Sequence, residues 1–176
     1  GTGTVTLEAI LAGKRAIQAD ANPLARLIAQ VKTRVLSEHE LADGFAGVET
    51  RFRLARAGKP PSVVNIDYWY APADIRALTR LKSAILAERR KSVRDLMLVT
   101  FSAVCRRVSR ADPRFSVPVR QKNIPSSEDK SKVWELFENQ FRANSARFGQ
   151  LRRLGFKSRA ALCVGDDARK LRIAGE

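Results

Sequence analysis

Apolar residues recur along this chain mainly at the three- and four-residue spacing of amphipathic helices, and two short, mainly apolar runs interrupt the pattern. Such spacing places apolar side chains on one face of a helix. The runs 16–19 and 160–164 have the length of buried parallel strands. The predicted helices cover 5–12, 23–33, 38–57 and 72–90; another begins at 92 and is ended by Asp112-Pro113, and a last one runs through 134–151.

Residues at three helix ends favour these boundaries. Gly13 ends the first predicted helix, and Asn22 followed by Pro23 is typical of an N-cap and a first helical turn. Ser92 and Asp95 have the spacing of a capping box, which predicts that another helix begins there.

Aromatic residues form two groups. The stripe on the last predicted helix comprises Trp134, Phe137, Phe141 and Phe148. A stripe at helical spacing is more often core than a base-stacking ladder, so we expect it to pack. The run Tyr68-Trp69-Tyr70 favours packing as well, but its rings would also suit a base taken out of a duplex.

The first twenty residues have the order of a nucleotide site. Gly1 and Gly3 flank one residue, which lets the backbone turn sharply and approach a ligand closely. A predicted helix and a strand follow, and Asp20 stands at the carboxyl end of that strand, where open α/β sheets bind ligands. A carboxylate there can accept hydrogen bonds from both hydroxyls of a ribose.

The string Gly1-x-Gly3-Thr4-x-x-x-Glu-Ala, followed by Asp20-x-Asn-Pro-Leu-Ala, resembles the class I amino-methyltransferases, which modify exocyclic nitrogens of bases. The resemblance implies S-adenosylmethionine as cofactor. It places Gly1, Gly3 and Thr4 around the methionine moiety and makes Asp20 the ribose ligand. A nicotinamide site is the weaker alternative, because Thr6 stands where its third glycine would be.

The segment after the second apolar run is similar to the acidic loop that faces the cofactor adenine in this family. It reads Gly165-Asp166-Asp167-Ala-Arg169, with two aspartates where the family has one. The distance to the Ala-Arg pair favours Asp167, with Asp166 as the alternative.

A second, looser resemblance covers the middle of the chain. Asp67-Tyr-Trp-Tyr, the helical stretch 95–109 and Ala111-Asp-Pro-Arg114 are similar to the helical insert of bacterial and phage site-specific DNA methyltransferases. Those enzymes methylate the exocyclic amine of adenine or cytosine. The resemblance implies an α/β protein, a partial Rossmann-like methyltransferase fold with a large α-helical insertion. Residues 1–36 would be its cofactor-binding part, 37–158 a DNA-contacting insertion, and 159–176 the return to the methyltransferase domain.

The acceptor tetrapeptide of that family, Asp, Asn or Ser followed by Pro-Pro-Tyr, does not occur in this sequence. Its Pro-Pro pair, Pro60-Pro61, is followed by Ser62. We therefore identify no catalytic residue. We expect the chain to be an internal piece of a methyltransferase that transfers no methyl group by itself.

Charge favours a nucleic-acid partner. The chain has 33 Lys and Arg against 18 Asp and Glu, a formal net charge of +15, which implies salt-dependent affinity for polyanions. We expect two basic clusters to contact phosphates. They comprise Arg106, Arg107, Arg110, Arg114, Arg120 and Lys122, and Arg142, Arg147, Arg152, Arg153, Lys157 and Arg159.

Two other functions fit the same sequence. Transfer-RNA guanine methyltransferases share the glycine pattern, although they usually carry their RNA-binding domain before the glycine loop. A non-catalytic nucleic-acid-binding fragment would need the basic clusters alone.

Cysteine and histidine content argues against a metal site or a disulfide scaffold. Cys105 and Cys163 lack paired spacing, and His39 is the single histidine. With no apolar run of membrane-spanning length and no signal peptide, we expect a cytoplasmic protein that contacts no membrane.

Overall fold

Helices dominate the computed structural model, which describes residues 1–56, 58–115, 117–121 and 131–156 and the backbone of 162–165. The helices are α1 (Thr4–Leu11), α2 (Pro23–Lys32), α3 (Glu38–Leu54), α4 (Ile66–Trp69), α5 (Pro72–Leu86), α6 (Lys91–Val108) and α7 (Val133–Arg153). The strands are β1 (Ile17–Ala19) and β2 (Leu162–Gly165).

The predicted fold class, an α/β partial Rossmann-like fold with a helical insertion, is wrong. The described chain is mostly helical, and its strands are three and four residues long. Both apolar runs do form strands, but between them the apolar positions repeat at helical spacing and are buried between helices. The helices that we expected as an insertion are therefore the main body of this fold.

The two strands lie side by side and run parallel. Ile17 is paired with Leu162 and Gln18 with Cys163, and after an irregularity Ala19 is paired with Gly165. The carboxyl end of β1, which leads to Asp20, consequently lies beside the carboxyl end of β2.

Side-chain caps were predicted at the starts of α2 and α6, and the structure has only the first of them. The Oδ1 atom of Asn22 accepts a hydrogen bond from Leu24 N at 2.9 Å, which confirms the predicted cap of α2. The predicted Ser92 capping box is wrong, because α6 begins one residue earlier, at Lys91. The carboxylate of Asp95 instead accepts from Lys91 Nζ at 2.5 Å.

Helices α3, α5, α6 and α7 enclose the core, and α2 packs against α6. The aromatic stripe of α7 is core as predicted, since Phe137, Phe141 and Phe148 are buried. Gly44 lets α3 approach α6 closely, because a Cβ atom there would lie 2.4 Å from Val93 Cγ1. Val31 and Leu36, in the predicted cofactor-binding part, contact this same core.

Candidate nucleotide site and basic surface

The glycine loop is tightly packed against α2. Gly3 has a φ of 79° and a Cβ atom there would lie 2.4 Å from the Cβ of Ala29, so only glycine fits. The loop therefore rests on α2 at Gly3.

Asp20 lies at the end of β1, next to this loop. Its Oδ1 accepts from Asn22 N at 2.7 Å, and its Oδ2 accepts from the amino nitrogen of Gly1. Both hydrogen bonds lower the pKa of the Asp20 carboxyl below its usual value, and the bond from Gly1 has the larger effect. The group is thus ionised near neutral pH, and a carboxylate has about four acceptor positions, of which two are taken here.

The first turn of α1 completes one wall of this corner. Gly3 is its N-cap and Thr4, the next predicted site residue, is exposed. The first N–H groups of a helix have no partner within the helix, and the positive end of the helix dipole lies there. This turn is therefore suited to a negatively charged group such as a carboxylate.

Gln18 is a member of this corner that the sequence reasoning missed. It is buried on β1, and its Nε2 donates to Gly1 O over 3.5 Å, a long hydrogen bond. Its Oε1 is buried with no hydrogen-bond partner among the described residues. A polar residue inside an otherwise apolar strand was the signal available in the sequence.

The chemistry of this corner fits S-adenosylmethionine in part. An ionised carboxylate with spare acceptor positions suits the ribose diol, and the start of α1 suits the methionine carboxylate. Asp166 and Asp167, predicted to face the adenine, lie outside the described residues.

Part of the first basic cluster lies beside α4. Arg106 and Arg107 are exposed on the last turn of α6. The guanidinium of Arg120 lies 4.4 Å from the ring centroid of Tyr68, and Arg110 Nη1 donates to Asp67 O at 2.9 Å. Arg114 forms an ion pair with Asp112 at 2.6 Å, whereas Lys122 lies outside the described residues.

Three of the four described arginines in the second basic cluster are exposed, and Arg152 is half-buried. Arg142 pairs with Glu138 at 2.6 Å, and Arg147 donates to Asn144 Oδ1 at 3.1 Å. Arg152 donates to the carbonyl of Leu36 at 2.5 Å and to Glu38 at 2.9 Å. Arg153 is exposed, and Lys157 and Arg159 lie outside the described residues. Among the described residues, the first cluster has two exposed arginines whose side chains have no bonding partner, Arg106 and Arg107, and the second has one, Arg153. The first cluster therefore offers more free guanidinium groups for phosphates.

The run Tyr68-Trp69-Tyr70 divides between packing and exposure. Tyr70 is packed against the core, and burial raises the pKa of its hydroxyl. Tyr68 is exposed and contacts the edge of Trp69, with ring centroids 5.0 Å apart. Packing, the favoured prediction, is confirmed for Tyr70, whereas Trp69 is half-buried and Tyr68 is exposed.

Other kinds of site find no support among the described residues. These residues include no group of three or more His, Cys, Asp or Glu side chains placed to hold a metal ion. Burial raises the pKa of the Cys105 thiol to about 11, which leaves it unreactive near neutral pH. In the same part of the chain, every helix is too short or too polar to cross a lipid bilayer.

Comparison with known proteins gives no match for this chain among protein-family models, curated proteins or solved structures.

Proposed function

We propose that this chain holds the S-adenosylmethionine-binding corner of a DNA amino-methyltransferase that acts on the exocyclic amine of adenine or cytosine. The observation that carries the proposal is the meeting of the Gly1 to Gly3 loop, the first turn of α1 and the Asp20 carboxylate at one end of β1. The proposal rests on this local chemistry and does not depend on an α/β fold.

Each part of the corner has a binding role in this proposal. S-adenosylmethionine, when bound, would supply the methyl group of its sulfonium and leave as the thioether. Asp20 accepts hydrogen bonds from the ribose hydroxyls and so fixes the orientation of the nucleoside. The free N–H groups of the first turn of α1 hold the methionine carboxylate, and the close packing of Gly3 on Ala29 keeps the loop in place.

Asp20→Asn is expected to weaken the affinity for S-adenosylmethionine at least about tenfold, because hydrogen bonds to an ionised acceptor are roughly twice as strong as neutral ones. Isothermal titration calorimetry on the 176-residue chain measures this. Glu135→Gln is the matched control, since it removes one exposed carboxylate from the first turn of α7. If wild type and Asp20→Asn bind S-adenosylmethionine with equal affinity, Asp20 does not bind the ribose.

The DNA side of the proposal rests on the arginines around α4. Arg106, Arg107 and Arg120 are exposed, and two of them extend from the end of one helix. Arginine side chains on such a surface displace counterions from the phosphates of a duplex, which makes binding strongly salt-dependent.

Replacing Arg106, Arg107 and Arg120 together with glutamine is expected to reduce the slope of log affinity against log salt by about 2.7, since each phosphate contact contributes about 0.9. Fluorescence anisotropy with a labelled duplex, titrated at several salt concentrations, gives the slope. A triple variant of Arg53, Arg76 and Arg89 carries the same change in net charge outside this surface. If both triple variants lower the slope equally, general charge and not this surface holds the DNA.

The second candidate is a nucleic-acid-binding protein without catalytic function. The mostly helical body and the exposed arginines around α4 favour it. It predicts no measurable affinity for S-adenosylmethionine together with undiminished DNA binding. The same anisotropy titration with transfer RNA in place of the duplex tests the transfer-RNA guanine methyltransferase alternative, which requires preference for the RNA.

A further inference from the structure

A groove with an open volume of about 480 Å³ lies between α4 and the segment that follows α6. This segment, residues 109–115 and 117–121, folds back on itself, because Ala111 and Arg120 form an antiparallel bridge. Asp112 N donates to Val119 O at 2.7 Å, and Gln121 N donates to Arg110 O at 2.9 Å. Its lining includes three aromatic residues, one arginine and two valines, namely Trp69, Tyr70, Phe115, Arg106, Val63 and Val117.

Hydrogen bonds hold the two sides of the groove together. Arg110 N donates to Trp69 O at 2.8 Å, and its Nη1 donates to Asp67 O at 2.9 Å. Arg114 and Asp112 form a multiply hydrogen-bonded pair at the base of the fold-back segment. The groove is thus built before any ligand binds, which lowers the entropy lost on binding.

The groove combines open aromatic surface with positive charge. Phe115 is 48% exposed, and Val63 and Val117 are also exposed, although all three are apolar. Arg114 lies 5.9 Å from the ring centroid of Phe115. Arg106 lines the groove, and the Asp112 carboxylate beside it is neutralised by Arg114.

The arginines of this groove favour a nucleotide over an apolar protein segment as its ligand. An apolar protein segment would use the valines and rings but not the arginines. A nucleotide uses both, because its base stacks on aromatic side chains and its phosphate pairs with arginine. Asp67, also exposed on α4, does not line the groove.

We propose that this groove binds an unpaired base of the DNA, stacked on Phe115 and Trp69, with the adjoining phosphate on Arg106. The base must be unpaired, because the faces of a base within a duplex are covered by its neighbours. The inference deepens the proposed function on the DNA side and rests on it only in taking DNA as the polymer.

Phe115→Ala is expected to weaken the binding of a short labelled oligothymidine strand at least about fivefold, since stacking of one base on an aromatic ring has an effect of that size or larger. Binding of a fully paired duplex should change less than twofold. Phe115→Trp should retain the affinity for the single strand, whereas Phe115→Leu, which keeps apolar bulk without a ring face, should lose it. Fluorescence anisotropy at one fixed salt concentration measures all four proteins.

Two controls separate stacking from general effects. Leu54→Ala removes an apolar side chain that is 79% exposed at the end of α3 and does not line the groove, so it should leave both affinities unchanged. A strand of the same length with abasic sites in place of the bases should bind wild type and Phe115→Ala equally.

The inference is overturned if Phe115→Ala and Phe115→Leu bind the single strand as tightly as wild type, or if they lose duplex binding to the same extent. No binding of the single strand by wild type overturns it as well. Calorimetry with S-adenosylmethionine is independent of these outcomes. A failure of the groove is therefore distinguishable from a failure of the cofactor site.

Discussion

Replacing Phe137 with alanine is expected to lower the free energy of unfolding by about 3 to 5 kcal/mol, the largest effect of any single substitution considered for this protein. Phe137 is fully buried on α7, at the centre of the core formed with α3, α5 and α6. Its ring centroid lies 5.7 Å from that of Trp134 and 6.5 Å from that of Phe141. Removing the ring leaves a cavity that these neighbours cannot fill without moving.

Urea denaturation followed by helical circular dichroism gives this difference. Phe115→Ala is a matched control, because it makes the same chemical change at an exposed position and should alter the free energy of unfolding by no more than about 1 kcal/mol. Equal stabilities of Phe137→Ala and Phe115→Ala would mean that α7 does not pack on the other helices as described.

The elements of this fold were predictable because each depends on neighbouring residues. The helical spacing of apolar residues correctly indicated α2, α3, α5, α6 and α7, and the run 16–19 correctly indicated β1. The boundary at Asn22 was predictable for the same reason, since an N-cap needs only its own side chain and the next turn. Local signals of this kind require no knowledge of the rest of the chain.

The fold class was not predictable from those signals. A glycine turn, a helix, a strand and an aspartate occur in the predicted order, but their order does not determine how many further strands join them. The Ser92 capping box failed for a related reason. Glu88, which lies before α6, accepts a hydrogen bond from Arg90 N at 3.0 Å, and the helix begins at Lys91 instead.

The candidate site residues likewise divide into those that are close in sequence and those that meet only through long-range contacts. Gly1, Gly3 and Asp20 are close in sequence, and Gly1 is hydrogen-bonded to Asp20, while their role in cofactor binding stays a prediction. The two basic clusters looked equivalent in sequence, but Arg152 of the second reaches back to Leu36, more than a hundred residues earlier. The groove beside α4 depends on contacts between Arg110 and Trp69, and no spacing rule predicts a contact of that range.

Glu88 is the best example of an interaction that sequence alone does not indicate. Its carboxylate is buried between α5 and α6, where Oε1 accepts from Arg90 Nε at 3.0 Å and Oε2 accepts from Arg51 Nη2 at 3.2 Å. Arg51, on α3, also donates from Nε to Ala84 O at 3.1 Å. One carboxylate thus connects α3 to the junction between α5 and α6. Hydrogen bonds from Arg90, followed by those from Arg51, lower the pKa of Glu88 to about 2.

Acidification is expected to remove a part of the stability of this protein that Glu88 supplies. The pKa of Glu88 is depressed from 4.5 in the unfolded chain to about 2 in the folded protein. Its contribution is therefore complete above about pH 5 and is lost as the pH falls towards 2, by at most about 3 kcal/mol. Glu88→Gln should be less stable than wild type at pH 7 and should show a shallower decline between pH 5 and pH 2. Urea denaturation across that pH range measures both slopes.

The control is Glu135→Gln, which removes an exposed carboxylate outside this cluster. Its free energy of unfolding should decline with falling pH in parallel with that of wild type. A wild-type slope in Glu88→Gln would show that the pairing with Arg51 and Arg90 contributes nothing to folding, because the only difference between the two proteins is the ionisable group that these arginines hold.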